Sequence, residues 1–530
     1  MQVQQVIFIA ISIVFLATAP SVAQEHQHAE GPASTRFTAR EGSGTAWLPE
    51  TSDMYGAHRR AGNWELMFHG NAFLQLLHEG ANGGRGATQI GSINWLMGMA
   101  RRPAAGGTVG LRAMVSVEPA TIRGCGYPDL LATGERCDGE SIHDRQHPHD
   151  LLMEVAAEYE RPLFGRLRWQ MYAGLAGEPA LGPVAYPHRL SALPNPIAPI
   201  SHHWLDATHI TYGVVTSGVF TNRWKAEASI FNGREPDEER WDLDVASLDS
   251  FSGRVSFAPH PDLLVQVSAG HLNEGEAAEG TLPRVDVDRV TASLAYHRRM
   301  SGSNLWTNTV AWGRNAEAGT STHAFLAETS VTLNERDVWF GRLEIAGKEA
   351  HDLHVEEFGD EVFTVGKLQG GYTRYLAAAA GWRTGVGGYL SAGFVPEALK
   401  PHYGSRANLG VGFFVTVRPA ASAAHAGHAT ERPAGQTERT TSDEHAGHQA
   451  PAATPQPAGK SQARPGLLAS PATDLANLKC EPNVDSKTAP RMLHEGRMYY
   501  FCSDEERAAF AKDPTRYALP AKAAAPEHQH

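Results

Sequence analysis

The sequence predicts an all-β protein built around a transmembrane antiparallel barrel of about sixteen strands. Three observations carry that expectation. Segments of roughly ten residues with alternating polarity repeat from Asn63 to Pro419, their connections alternate between short and long, and no later run is apolar enough for a membrane helix.

In chain order, residues 1–23 read as a signal peptide. The apolar run Val6–Ala17 is too short for a membrane span and leads to Ser21-Val22-Ala23, a small-x-small site for cleavage before Gln24; the n-region MQVQQ lacks the usual Lys or Arg. The mature chain is thereby expected in an extracytoplasmic, oxidising place: the barrel in the bacterial outer membrane, the C-terminal part in the periplasm. Residues 24–62 form an N-terminal extension.

Residues 63–419 carry the strands. Leu167, Trp169, Met171, Ala173 and Leu175 share one face against Arg166, Arg168, Gln170 and Tyr172. Trp224, Ala226, Ala228 and Ile230 stand likewise against Arg223, Lys225, Glu227 and Ser229, and Trp339, Leu343 and Ile345 against Arg342, Glu344 and Lys348. A strand has a period of two, so each such segment has one apolar and one polar face.

Strand starts are expected near Asn63, Gln89, Gly107, Leu151, Gly165, His209, Arg223, Ser250, Leu263, Val287, Asn304, Thr322, Asp337, Phe363, Gly381 and Ala407. Short turns such as Arg161–Gly165, Ala258–Asp262, Asn334–Asp337 and Leu376–Gly381 alternate with long loops such as Glu118–Asp150, Gly177–Thr208, Gly233–Asp249 and Asn273–Asp286. A soluble sandwich also alternates in polarity; this asymmetry of connections is what separates a membrane barrel from it. An even strand count puts both barrel ends on the periplasmic side. Trp95, Trp169, Trp204, Trp224, Trp306, Trp312, Trp339 and Trp382 are expected in interfacial girdles. The last strand, Leu409–Val417, does not end the chain, so its assembly signal would be internal.

Cys125 and Cys137 lie in a polar, Gly-rich loop and are expected to form a disulfide. The same loop brings His143, His147, His149 and Asp150 to a strand entry, and the next long loop brings His188, His202, His203, Asp206 and His209. Both precede strands that descend from the outer face, so the two groups are expected to meet at one mouth. Imidazoles with carboxylate partners suit a divalent metal; the same residues could equally brace a loop folded into a lumen.

From 420 to 470 the composition changes to Ala, Pro, Gly, Thr and Ser with scattered charge, a flexible linker. It carries His425-Ala426-Gly427-His428 and His445-Ala446-Gly447-His448, and 521–530 ends Glu527-His528-Gln529-His530, echoing Glu25-His26-Gln27-His28. Closely spaced imidazoles on a flexible chain are ligands for copper, nickel or zinc, or else a solvating spacer.

Residues 471–520 look like a small α+β domain. Cys480-Glu481-Pro482-Asn483-Val484-Asp485, Gly496-Arg497-Met498-Tyr499-Tyr500-Phe501-Cys502-Ser503, Phe510 and Asp513-Pro514-Thr515-Arg516-Tyr517 resemble the YHS family of metal-associated modules. The resemblance implies a metal role for Cys480 and Cys502. Where the family has a further cysteine this chain has Glu506, so Glu506 or His494 would complete a copper or zinc site. A Cys480–Cys502 disulfide is the competing expectation in a periplasm.

The net charge of −12 leaves no broad basic surface and excludes nucleic acid as a partner. No Gly-rich phosphate loop or nucleophilic triad is legible, so no catalytic residue is assigned. The expected function is heavy-metal handling, transport or resistance at the outer membrane, copper foremost, with outer-membrane lipid, metal ions and periplasmic metal-efflux components as partners. A barrel lipid hydrolase, with Ser141 or Ser201 beside the loop histidines, and a structural or adhesive barrel are the alternatives.

Overall fold

The computed structural model describes residues 37–81, 85–138, 140–276 and 284–421, with 491–494, 497–500, 507–508 and 511–512 beyond them. The chain divides into two units, 1–432 and 433–530.

In the first unit, period-two alternation becomes one closed sheet. Its strands are β2 (Trp64–Glu79), β3 (Ala87–Ala104), β4 (Gly107–Val115), β7 (Leu152–Pro162), β8 (Arg168–Gly177), β9 (Thr211–Phe220), β10 (Trp224–Phe231), β11 (Ser250–His260), β12 (Leu263–Glu276), β13 (Val285–Arg299), β14 (Leu305–Glu317), β15 (Thr320–Leu333), β16 (Asp337–Glu349), β17 (Val362–Tyr375), β18 (Trp382–Phe394) and β19 (Ala407–Pro419). Each pairs antiparallel with the next, and β19 closes on β2 from Gly410↔Glu79 to Val417↔Ala72. The result is a sixteen-stranded antiparallel barrel, with every strand start within a few residues of its expected place. A short strand β1 (Ala57–Ala61) pairs with β2 below the end of β19, from Ala57↔Phe68 to Ala61↔Trp64.

Closure matters energetically: it leaves no row of unpaired N–H and C=O groups for lipid to strand. The side chains sort accordingly. Trp224 and Ile230 are exposed on the outer wall while Lys225, Glu227 and Ser229 are buried inside; Trp339, Leu343 and Ile345 point out while Arg342, Glu344 and Lys348 point in. This inverts a soluble core, as a lipid environment demands.

Short turns gather at one end of the barrel and long loops at the other. At the turn end Trp169, Trp224, Trp306, Trp339 and Trp382 stand at strand starts, forming one girdle with Tyr159, Tyr296 and Tyr372, which touch Trp169, Trp306 and Trp339. Trp95 and Trp204 depart from the girdle expectation. Trp95 faces inward and is 9% exposed, and Trp204 sits in a loop inside the barrel, its Nε1 donating to Thr322 Oγ1 at 2.8 Å. Their indoles need a polar partner or a polarizable neighbour that the lipid face would not supply.

The lumen is filled from both ends. From the turn end, residues 37–56 enter: Lys225 Nζ and Arg112 Nη1 donate to the carbonyls of Thr45 and Gly44, and Glu50 N donates to Pro261 O. From the loop end, residues 178–210 cross the interior. Along that path Ala180 N donates to Ser229 Oγ, Ser201 Oγ to Glu344 and Asn195 Nδ2 to Gln369, while Asn71 Nδ2 donates to Leu193 O. Thus one loop is tied to β10, β16, β17 and β2 across the barrel. A hairpin of β5 (Tyr127–Cys137) and β6 (Glu140–Gln146) packs against it, and the Cys125–Cys137 disulfide ties the approach to β5 to the last residue of that strand. Leu130, Leu131, Ile200, Leu205, Leu353 and Leu399 form an apolar cluster there with Tyr403. In the second unit β20 (Arg491–His494) pairs with β21 (Arg497–Tyr500).

Candidate functional site

The lumen loops bring the expected histidines together in part. His147, His149, His202, His203 and His209 are inside the barrel and adjoin: ring centroids lie 5.3 Å apart for His149 and His209, 5.1 Å for His202 and His209, 5.5 Å for His202 and His203, and 6.3 Å for His147 and His203. A helical turn, α2 (His202–Leu205), following α1 (Glu118–Thr121) in the chain, sets the backbone of two of them. His143 does not join; it stacks on His354 at 4.2 Å. The backbone reverses at Asp144 (φ 53°), whose carboxylate takes the Leu131 N–H and the Arg85 guanidinium, so His143 is turned away.

Four of the five imidazoles are held through Nδ1, while His147 meets Glu135 through Nε2 at 3.1 Å. His149 Nδ1 contacts both Glu118 oxygens at 3.0 Å, His202 Nδ1 meets Asp206 Oδ1 at 2.9 Å, His203 Nδ1 meets Glu235 Oε1 at 2.9 Å, and His209 Nδ1 donates to Asp206 O at 2.9 Å. At His149 and His202 the carboxylate on Nδ1 fixes the tautomer and raises the basicity of the other nitrogen. The Nε2 atoms of His203 and His209 are buried without a hydrogen-bond partner, whereas His149 Nε2 is taken by Tyr186 Oη at 3.0 Å.

Charge follows burial. Desolvation pushes His147 and His209 well below the ordinary imidazole range, and lowers His202 and His203. At His149 burial acts the same way, but the Glu118 carboxylate outweighs it and the pKa rises. Burial would raise Asp206, yet the Arg189 guanidinium at 2.7 Å holds it below the carboxylate range. Desolvation raises Glu235 and carries Asp150 up to about 7. Asp150, expected as a histidine partner, lies instead 3.7 Å from Arg240.

The histidines do not converge on a single point. Among the described residues, the group that includes one of them and offers three donor atoms within 4.8 Å of one another is His203, Glu235 and Glu276. Glu235 and Glu276 were not legible as site residues because one lies in the connection after β10 and the other at the end of β12, and only the closed barrel brings them to His203. Gly134 (φ +111°) covers the Nε2 edge of the His203 ring: a Cβ there would sit 2.2 Å from Nε2, leaving Nδ1 as the edge that faces the carboxylates. One imidazole and two carboxylates form a borderline-to-hard donor set, which fits Zn(II) better than Cu(I).

Neither candidate serine pairs with a histidine in a nucleophilic arrangement. Ser201 Oγ donates to Glu344 at 2.7 Å, and Ser141 lies in the hairpin strand β6 opposite Arg136. Among the described residues, the serine hydrogen-bonded to an imidazole is Ser52, with Oγ 2.7 Å from His297 Nδ1. Its single hydroxyl proton goes to Pro49 O at 2.6 Å, so His297 is the donor and the hydroxyl is not activated.

Cys480, Cys502, Glu506, His425, His428, His445 and His448 lie outside the described residues; His494 ends β20.

No protein-family model matches the chain, and no curated protein matches it, so the YHS resemblance of the C-terminal segment has no family match behind it. Among solved structures the chain is similar to the outer-membrane OmpT of Vibrio cholerae (TM-score 0.39, 9% identity, covering 68% of this chain and 99% of that one). It is similar also to the anion-selective porin from Comamonas acidovorans (0.40, 11%, 67% and 99%) and to OmpF of Salmonella typhi in complex with daunomycin (0.42, 8%, 68% and 100%). At these values the likeness carries no inference about function.

Proposed function

We propose that this chain is a bacterial outer-membrane barrel, closed at rest by its own loops and N-terminal segment, that handles transition-metal ions. The turn end faces the periplasm, where both barrel termini emerge, and the loop end faces outward. The observation that carries the metal reading is the donor group His203, Glu235 and Glu276, whose ligand atoms lie within 4.8 Å of one another inside the lumen. Those three would hold a divalent ion, whose charge would offset that of the two neighbouring carboxylates. The soluble C-terminal part, through Cys480 and Cys502, would pass metal to or from a periplasmic efflux component, with copper as the soft-metal cargo.

A filled lumen argues against a permanently open diffusion pore. Ser201 bound to Glu344 favours the metal reading over lipid hydrolysis.

The test is zinc binding by the full chain purified from outer membranes, beside His203→Ala and Glu235→Gln variants. One Zn(II) retained by the wild type and lost by both variants supports the proposal; equal zinc in all three, or none in the wild type, removes it and leaves a channel or adhesive barrel.

A further inference from the structure

The inner face of a transmembrane barrel is ordinarily polar. Here most of it is: Thr216, Ser229, Arg254, Thr291 and Glu328 are typical of the buried inward residues. One sector departs from that rule. On β3 the inward positions run Ile93, Trp95, Met97, Met99, and the neighbouring strands add Met67, Met114 and Met153. With Met54 from the N-terminal segment, six of the chain's eleven methionines form one cluster.

The register explains why they meet. His69 pairs with Met97, and Met97 with Met114, so an imidazole and two thioethers form one cross-strand row on adjacent strands; Met67 pairs with Met99 in the next inward row. Adjacent strands lie about 4.8 Å apart, so these side chains project side by side into one volume. The lumen loop then lowers His188 onto them. His188 Nε2 lies 3.4 Å from Met114 Sδ, and its ring lies 5.6 Å from that of His69 and 4.4 Å from that of Trp95. His69 Nε2 is buried and has no hydrogen-bond partner.

A cavity of about 70 Å³ opens among these groups, lined by Met54, Met67, Met99, His69, Trp95 and His188. That is room for an ion but not for an organic substrate. We infer that this cavity is a Cu(I) site, in which the thioethers of Met67 and Met99 and the imidazoles of His69 and His188 bind the ion beside the ring of Trp95.

Three features select this ion. The donors are neutral and soft, the set that thioether chemistry assigns to Cu(I) over Zn(II) or Mg(II). Every charged group at the cavity already has a partner: Glu41 pairs with Arg101, Asp53 with Arg299, and Arg112 with Glu154, while Arg418 lies over the rings of Tyr55 and Tyr375. Both lining carboxylates are neutralised by an arginine, which disfavours a hard dication, though Glu41 Oε2 has no hydrogen-bond partner of its own. The Trp95 ring, 5.2 Å from His69, offers a π face to a monovalent cation.

The competing explanation is packing, since methionine readily fills irregular gaps. Packing alone accounts for neither a buried imidazole nitrogen without a partner nor the cavity beside it. The inference deepens the metal-handling proposal but stands on residues remote in sequence from His203, Glu235 and Glu276.

The test is Cu(I) titration of the full chain in detergent, in competition with a chromophoric Cu(I) chelator. Cys480→Ser and Cys502→Ser form the background, so tail thiolates contribute nothing. Met67→Leu/Met99→Leu, which keeps the volume, is expected to weaken Cu(I) binding by about tenfold or more and to lose sulfur scattering at the copper absorption edge. Zinc binding at His203 should stay unchanged. Unaltered Cu(I) affinity and sulfur scattering in a variant that still shows heat-modifiable mobility would overturn the inference. Should the double variant not fold, His188→Gln on the lumen loop decides by the same titration: about tenfold weaker binding supports the site, and unchanged binding rejects it. Loss of zinc binding in His203→Ala with Cu(I) binding intact would leave this site standing without the other.

Discussion

Arg189 donates through Nη1 to Asp206 Oδ2 at 2.7 Å, clasping two distant points of the 178–210 loop with an ion pair whose side chains are each 1% exposed. The same guanidinium reaches Glu328 on β15 through Nε at 2.7 Å, and Glu328 also accepts from Arg342. Arg189 thus joins the two ends of the plug to each other and to the wall, beside the hydrogen bonds to β2, β10, β16 and β17.

Replacing Arg189 by Ala leaves Asp206 with only His202 and the Tyr186 N–H as partners. Breaking a buried pair from one side typically costs about 3–5 kcal/mol. The loss should fall on the plug rather than on the wall, whose ladder is intact. Single-channel recording is expected to show larger or more frequent openings for Arg189→Ala, with heat-modifiable mobility retained; a closed, wild-type trace would count against the loop as the seal.

The lowered pKa of His209 makes a pH forecast. Its ordinary value is 6.5 and burial lowers it well below that in the fold, so between those limits the unfolded chain binds the proton and the folded chain does not. Its contribution is therefore complete above the ordinary value and is lost as pH falls below it. Groups with raised values, such as His149 and Asp150, pull the other way, so the clean measurement is a difference. In chelator-treated protein, the stability advantage of wild type over His209→Gln should shrink as pH falls below 6.5. A pH-independent difference would mean that His209 titrates normally.

Leu390 stands 68% exposed on the outer wall of β18, and Ser391 beside it faces inward, donating to Glu79. If the outer wall contacts lipid, Leu390→Arg should destabilise the barrel in vesicles by roughly 2–4 kcal/mol, the range for an arginine near the bilayer midplane. Leu390→Phe should be nearly neutral. Denaturant titration of vesicle-inserted protein reads both, and an arginine tolerated as well as phenylalanine would sink the placement of this wall in lipid.

The sequence by itself determined the wall. Alternation such as Lys225, Glu227 and Ser229 against Trp224, Ala226 and Ile230 is local, because a strand's two faces are set by backbone geometry within a few residues. Turn and loop lengths are local too, and they sufficed for strand number and for which end carries the loops. The Cys125–Cys137 bridge was legible for the same reason, its partners being close along the chain.

Only the tertiary structure decided what fills the lumen. Neither loop length nor composition says that 178–210 turns inward, since that depends on partners as distant in sequence as Asn71, Glu344 and Gln369. Proximity in sequence misled at His143, which a backbone reversal at Asp144 separates from His147 and His149. The methionines do carry a local signal: an apolar run Ile93, Trp95, Met97, Met99 on the face opposite Ile90 departs from a polar lumen. Their meeting with His69, Met114 and His188, however, is fixed by strand register and by a loop more than seventy residues further along. Such contacts depend on barrel closure, which no local period encodes.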